Sequence, residues 1–324
     1  MSGTWGERGG RGGGRRGPGR RGTRGSLRLV TIGGIPIRLH WSFAFVVVLV
    51  VLAAQGSGPA AIGYAAGWVA TLFGSVLVHE LGHSLLARRR GFTVRDIVLL
   101  PIGGMTEIAE LPGAPADEFW IAFVGPLTSV GVAALCGGIG ALLRAPLWPP
   151  TLMSGPFVTR VLWMNLLLAG FNMVPALPLD GGRVFRAALS ARRGDLRATE
   201  LAVTAGRAIG AGMLVFGVLY DLWLAVIGLF VILGAGSEAR ASTLRRALAG
   251  LRVADVMVRE FPHTPDPADP ESLGPDDPLY PTAIEALTQA GTDELAVVAN
   301  ERQIGVLRRV DVEAVVRYRT RSRL

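Results

Sequence analysis

Lysine is absent from this 324-residue chain, so all 33 of its basic residues are arginine, which points to coding bias more than to a functional device. Cysteine occurs once, at Cys136 inside an apolar run, which excludes an intrachain disulfide and a cysteine-rich zinc finger. Histidine occurs four times, at positions 40, 79, 83 and 263, and any histidine-based metal site must draw on these. Charge is scarce as well. Only 18% of residues are charged, against roughly 25% in a soluble domain. With 50% hydrophobic residues and a mean hydropathy of +0.42, neither one soluble domain nor wholesale disorder fits.

What the chain has instead is a series of long apolar runs. They cover His40 to Ala54, Ala60 to Ala87, Glu118 to Leu143, Phe157 to Val174 and Ala205 to Gly236. The last is too long for one helix at about 20 residues per membrane crossing, and Tyr220-Asp221 is the natural break. The expected fold is therefore an all-α polytopic membrane protein with about six transmembrane helices. Arginine placement supports it. The loops 88–117 and 175–204 hold Arg88, Arg89, Arg90, Arg95, Arg183, Arg186, Arg192, Arg193 and Arg197, whereas the loops on the other side hold only Arg144. Positive residues mark the cytoplasmic side, so both termini are expected there, in a multi-pass cell-membrane protein.

Residues 1–26 form a Gly/Arg-rich tail expected to be disordered and cytoplasmic. The first 28 residues hold eight arginines against one glutamate, a net +7 that accounts for most of the overall +8. The tail lacks the aromatic interleaving of RNA-binding segments, so no nucleic-acid partner is expected. It reads as a topology signal. Residues 27–240 are the expected membrane domain, and 241–324 a linker and a small α/β tail. The stretch 262–278 is rich in Pro and Asp. Glu294 to Ala299 reads as a strand, Asn300 to Arg302 as a turn, Ile304 to Leu307 as a second strand and Val310 to Tyr318 as an amphipathic helix.

The chemistry is concentrated at the end of the second apolar run, in His79-Glu80-Leu81-Gly82-His83. Helical residues four apart share a face, so both imidazoles can bind one Zn2+ while the glutamate acts on water. Such polar residues are costly in an apolar span, and rarely present without a task. A catalytic zinc usually has three protein ligands and an open position. His40 and His263 are poorly placed to be the third. The fourth run ends in NMVPALPLDGGR (172–183), where Pro175 and Pro178 break the helix and Gly181-Gly182 permit a tight turn. Irregular backbone at membrane depth lines protein or a wet cavity. Asp180 is the candidate third ligand, or alternatively a cap for the helix that follows.

HELGH paired with NMVPALPLDGGR resembles the site-2 protease family of intramembrane zinc metalloproteases. GIPIRLHWSF (34–43), PIGGMTEIAELP (101–112) and EFWIAFVGPLTS (118–129) resemble further family segments, with Ser129 where an asparagine is usual. The resemblance covers about residues 26–240. It implies His79, His83 and Asp180 as ligands of one zinc per chain, Glu80 as the catalytic general base, and Asn172 near substrate or oxyanion. It implies as partner a membrane protein cut within its transmembrane helix. The tail resembles a single CBS repeat, from ADVMV (254–258) to GVLRRVDVEAVV (305–316). That implies a possible homodimer through the tail. Adenine nucleotide binding is doubtful, because Arg308 stands where a Ser or Thr usually precedes the acidic Asp311. The rival readings are a membrane metal transporter and a proteolytically inactive scaffold. A transporter would spread its polar residues along a path, and the intact Glu80 argues against the scaffold. Gly206 and Gly210 read as helix packing, and Arg160 and Asp221 as interfacial anchors.

Overall fold

The computed structural model describes residues 25–53, 59–101, 103–108, 114–150, 152, 155–248, 250–259, 272–300 and 302–321. The Gly/Arg tail up to residue 24, His263 and most of the Pro/Asp-rich stretch lie outside the described residues. The chain divides into one unit spanning Gly25–Ala247 and a second that includes Leu248–Leu324.

The larger unit opens with strands β1 (Ser26–Ile32) and β2 (Ile35–His40). Helices α1 (Phe43–Ala53) and α2 (Pro59–Arg89) follow, then strands β3 (Val94–Leu100) and β4 (Gly103–Ile108). Five helices complete it: α3 (Pro115–Leu142), α4 (Phe157–Asn172), α5 (Asp180–Arg193), α6 (Asp195–Tyr220) and α7 (Leu222–Leu248). Four of these helices contain segments long and apolar enough to cross a membrane: Ala60–Arg89, Pro115–Leu142, Asp195–Tyr220 and Leu222–Ala241. Two apolar helices, Phe43–Leu52 and Phe157–Asn172, are shorter. The break between α6 and α7 falls at Asp221, where the sequence places it.

The all-α expectation needs one correction. The four strands form a sheet in the order β1-β2-β3-β4, with β2 and β3 parallel and both outer pairs antiparallel. The segment GIPIRLH belongs to strand β2 and its approach, so the first helix starts at Phe43 and not at His40. The reason lies in Ile35 and Ile37, which alternate with less buried residues and enter the core with Val76 of α2 and Leu99 of β3. Helix α6 likewise starts ten residues before the apolar run. Asp195 stands in its first turn, and Ala198 and Ala202 bury the polar helix end.

Arg160, in the first turn of α4, is buried. Its guanidinium lies over the rings of Tyr64, Trp68 and Phe157 at 4.8–5.8 Å, and it donates to the Tyr64 hydroxyl. Cation–π attraction strengthens where water is excluded. Gly206 and Gly210 do serve packing. A Cβ on Gly210 would stand 2.9 Å from the Gly228 carbonyl of α7, so the small residue sets how closely α6 and α7 approach.

Three helices are tied together by Arg186 of α5. Its Nε donates to Glu118 of α3 at 2.8 Å and its terminal nitrogen to Glu238 of α7 at 3.1 Å. Burial lowers the basicity of this guanidinium, but the two carboxylates more than offset it and raise it above its ordinary value.

In the smaller unit, strands β5 (Glu294–Ala299) and β6 (Arg302–Arg308) pair antiparallel, flanked by helices α8 (Ile284–Ala290) and α9 (Arg309–Arg321). The positive φ of Asn300 makes the turn. Leu295, Val297, Val306, Leu307 and Val312 form part of its buried interior.

Candidate metal centre

Helix α2 carries HELGH in its last turns. One face of those turns meets α3, and two glycines set the spacing. A Cβ on Gly82 would stand 2.4 Å from Thr128 Oγ1, and one on Gly125 would stand 2.1 Å from His83 Nε2 and 2.8 Å from His79 Nε2. Glycine at 125 therefore leaves the room the two imidazoles occupy. Both rings are buried.

Helix α3 also orients them. His83 Nδ1 lies 2.6 Å from the Ile121 carbonyl, which only accepts, so Nδ1 carries a proton and Nε2 is the nitrogen turned toward Asp180. His79 Nδ1 lies 3.0 Å from the buried Ser129 hydroxyl. Ser129, the position where the resembling family usually has asparagine, thus holds a ligand ring in orientation. Such outer partners fix tautomer and ring direction in metal sites.

Asp180 arrives from the far side. Helix α4 ends at Asn172, and the Pro-containing segment after it is pinned by Leu177, packed on Ala202, Val203 and Ala235, and by Leu179, packed on Val231. Gly181 comes so close to the Met173 carbonyl that a Cβ there would stand 2.4 Å from it. The capping alternative for Asp180 does not hold. Leu179 is the N-cap of α5 and no side chain caps it, while Asp180 is the first helical residue and directs its carboxylate at the histidines.

The three candidate donors form a small triangle. His79 Nε2 to His83 Nε2 is 3.2 Å, His79 Nε2 to Asp180 Oδ2 is 3.0 Å, and His83 Nε2 to Asp180 Oδ2 is 3.2 Å. A tetrahedral zinc with bonds of about 2.0–2.1 Å has ligand–ligand edges of about 3.3 Å. The donor set and its spacing fit that ion. Among the described residues this is the one His/Cys/Asp/Glu group of three or more placed to hold a metal.

Glu80, next to His79, is not one of the three donors. Its Oε2 accepts a hydrogen bond from Thr106 Oγ1 of β4 at 2.7 Å. Asn172 donates from Nδ2 to the Leu168 carbonyl of its own helix at 3.1 Å, and among the described hydrogen bonds none joins it to the histidines or Asp180. The sequence singles out His79, Glu80, His83, Asp180 and Asn172, of which the structure gathers the two histidines and Asp180. The sequence does not show the roles of Ser129, Gly125 or Thr106. The Gly-Pro pair at 125–126, inside a long helix, is the available signal for the second of these.

The sequence profile of peptidase family M50 matches residues 67–146 and 151–216. The zinc metalloprotease MJ0392 of Methanocaldococcus jannaschii is 36% identical over 244 residues, covering 75% of this chain and 67% of that protein. A putative zinc metalloprotease of Mycobacterium tuberculosis, Rip3, is 34% identical over 263 residues, covering 74% of this chain and 65% of its own length. The chain thus spans about two thirds of the length of these curated relatives. The solved site-2 protease from Methanocaldococcus jannaschii superposes with a TM-score of 0.51 at 34% identity, over 66% of this chain and 95% of that one. With the histidine and aspartate donors gathered as a zinc site requires, this chain belongs to peptidase family M50, the site-2 protease family of zinc metalloproteases.

Proposed function

We propose that this protein is a zinc-dependent intramembrane endopeptidase that cuts a transmembrane segment of another membrane protein. The observation that carries the reading is the 3.0–3.2 Å donor triangle of His79, His83 and Asp180, built where α2 ends an apolar span. When bound, zinc supplies a Lewis acid that polarises the scissile carbonyl and makes water acidic enough to deprotonate near neutrality. His79 and His83 would hold it through Nε2, and Asp180 through Oδ2. Glu80 takes the proton from the attacking water and delivers it to the leaving amine. Asn172, with one amide hydrogen engaged by Leu168, has a second to offer the developing oxyanion.

The substrate helix has its backbone groups already paired and must unwind to be cut. The extended stretch adds as a strand to β4, which among the described strands pairs only with β3 and so has a free edge. Charged substitutions along 103–108 that left cleavage unchanged would remove this part of the proposal.

We place the two shorter apolar helices, α1 and α4, in the membrane beside the four longer ones, giving six spans with both termini cytoplasmic. The arginine asymmetry of the loops supports that orientation. The smaller unit is a CBS-like module that pairs with a second copy. Its Asp311, the carboxylate suited to a ribose, is already taken by Arg308 through bonds of 2.6 and 3.0 Å, which disfavours a nucleotide.

The test is zinc per chain in the purified protein and in Glu80→Gln. About one zinc in each is expected, because Glu80 lies outside the donor triangle. Loss of zinc in Glu80→Gln, or none in the parent, would instead favour a metal-handling scaffold or transporter.

A further inference from the structure

We infer that Thr106 is the positioning residue for Glu80, and that strand β4 thereby couples substrate docking to the aim of the general base. The inference rests on the reading of Glu80 as that base.

Residues 104 and 106 lie on one face of β4, two apart, and this face meets α2. At 104 the face has no side chain. A Cβ there would stand 2.5 Å from Glu80 Cγ and 3.0 Å from its Cδ, so the glycine makes the hollow in which the glutamate stem lies. At 106 it has a hydroxyl. Thr106 Oγ1 donates to Glu80 Oε2 at 2.7 Å. Ser84, fully buried one turn further along α2, has its own hydroxyl 3.3 Å from Thr106 Oγ1. The threonine can thus accept from Ser84 while it donates to Glu80, which fixes the direction of its proton. A glutamate has three rotatable bonds, and the hollow and the hydroxyl together select one arrangement.

The strand cannot slide to relieve that hold. Gly104 pairs with Leu99 and Thr106 with Ile97, and both partners are buried. A one-residue slip would exchange the Gly/Thr face for Met105 and Glu107. One side of β4 is therefore set by β3 and its face by Glu80. A chain that paired along its other edge would order the strand further, and through Thr106 would narrow the range of Glu80. The sequence pattern Gly-Gly-Met-Thr (103–106) carries this arrangement without resembling any catalytic motif.

The experiment uses the full-length, zinc-loaded protein in detergent micelles, with acetohydroxamate as the active-site probe. A hydroxamate chelates the metal and passes its proton to the nearby carboxylate, so its affinity reports where that carboxylate stands. Calorimetric affinity and zinc content are measured for the parent, Thr106→Val, Thr106→Ser and Glu80→Gln. Thr106→Val should bind acetohydroxamate about ten-fold more weakly, the worth of one hydrogen bond to a charged group. It should keep its zinc, and Thr106→Ser should restore the affinity. With a quenched-fluorescence apolar helical peptide as substrate, the same loss should fall on kcat and leave KM unchanged. Parental affinity in Thr106→Val, beside a weakened Glu80→Gln, overturns the inference and leaves the protease reading intact. Parental affinity in Glu80→Gln overturns the role of Glu80 itself, and the inference with it.

Discussion

Replacing Gly125 by alanine tests the metal centre at its tightest point. The added methyl would stand 2.1 Å from His83 Nε2, 2.3 Å from its Cε1 and 2.8 Å from His79 Nε2. Ordinary van der Waals contact starts at 3.4 Å, so one imidazole must retreat by about 1.3 Å and the other by about 0.6 Å. Neither can do so freely. His83 is held by the Ile121 carbonyl on one side, and His79 by Ser129. The donor triangle, whose edges are 3.0–3.2 Å, would lose the spacing a tetrahedral ion needs. Altering only the outer partners of a metal ligand costs about 10–100-fold in affinity, and displacing two ligands should cost at least about 100-fold. The assay is competitive zinc binding against a chromogenic chelator, with Gly131→Ala as the control. Gly131 lies on the same helix with nothing near its would-be Cβ, so the control should bind zinc like the parent. Parental zinc affinity in Gly125→Ala would refute the geometry.

Four further outcomes follow from the same coordinates. Ser129→Ala should weaken zinc binding by about 10–100-fold while leaving the fold intact, read by the same chelator competition. Arg186→Leu removes the buried cation that Glu118 and Glu238 share, and should destabilise the protein by about 3 kcal/mol in detergent thermal unfolding. Asn172→Ala should lower kcat by about 100-fold and leave zinc content unchanged, as loss of an oxyanion donor does. Asp96 gives a pH test. Burial and the facing carboxylate of Glu107 push its pKa above the ordinary value against the opposing pull of Arg38 and Arg95, so its charge is disfavoured more in the folded protein than in the unfolded chain. Its stabilising contribution is present at low pH and is lost as pH rises through the raised value. Asp96→Asn should therefore melt higher than the parent at pH 7, and the gap should close on acidification.

The sequence made the metal ligands legible because their chemistry is dense. HELGH puts two imidazoles and a carboxylate on one helix end, and the Pro-rich break before Asp180 marks backbone that cannot be ordinary span. The sheet was harder to read. Strands β1 and β2 lie between a Gly/Arg tail and an apolar helix, and the alternation of Ile35 and Ile37 with half-buried neighbours falls in a strand only six residues long. The surroundings of Arg160 are hidden for a different reason. Its place near the end of an apolar run is where arginines commonly anchor. The ring cage that buries it comes partly from Tyr64 and Trp68, about 90 residues away in sequence. Thr106 and Ser129 were hidden because a lone hydroxyl has no sequence signature, and only the packing of β4 and α3 on α2 gives either one a partner.

The order in which the metal centre's parts emerge during synthesis follows from where they sit. Both histidines lie on α2, and the groups that orient them, Ile121 and Ser129, lie on α3. By the time residue 142 has been made, an oriented pair of imidazoles can exist. The third donor is 101 residues beyond His79. Until α5 docks, the nascent protein offers only two of the three candidate donors. Capture of the ion is thereby deferred to the arrival of the helix that Arg186 clamps in place. A chain truncated before Asp180 could be inserted and partly packed, yet not armed.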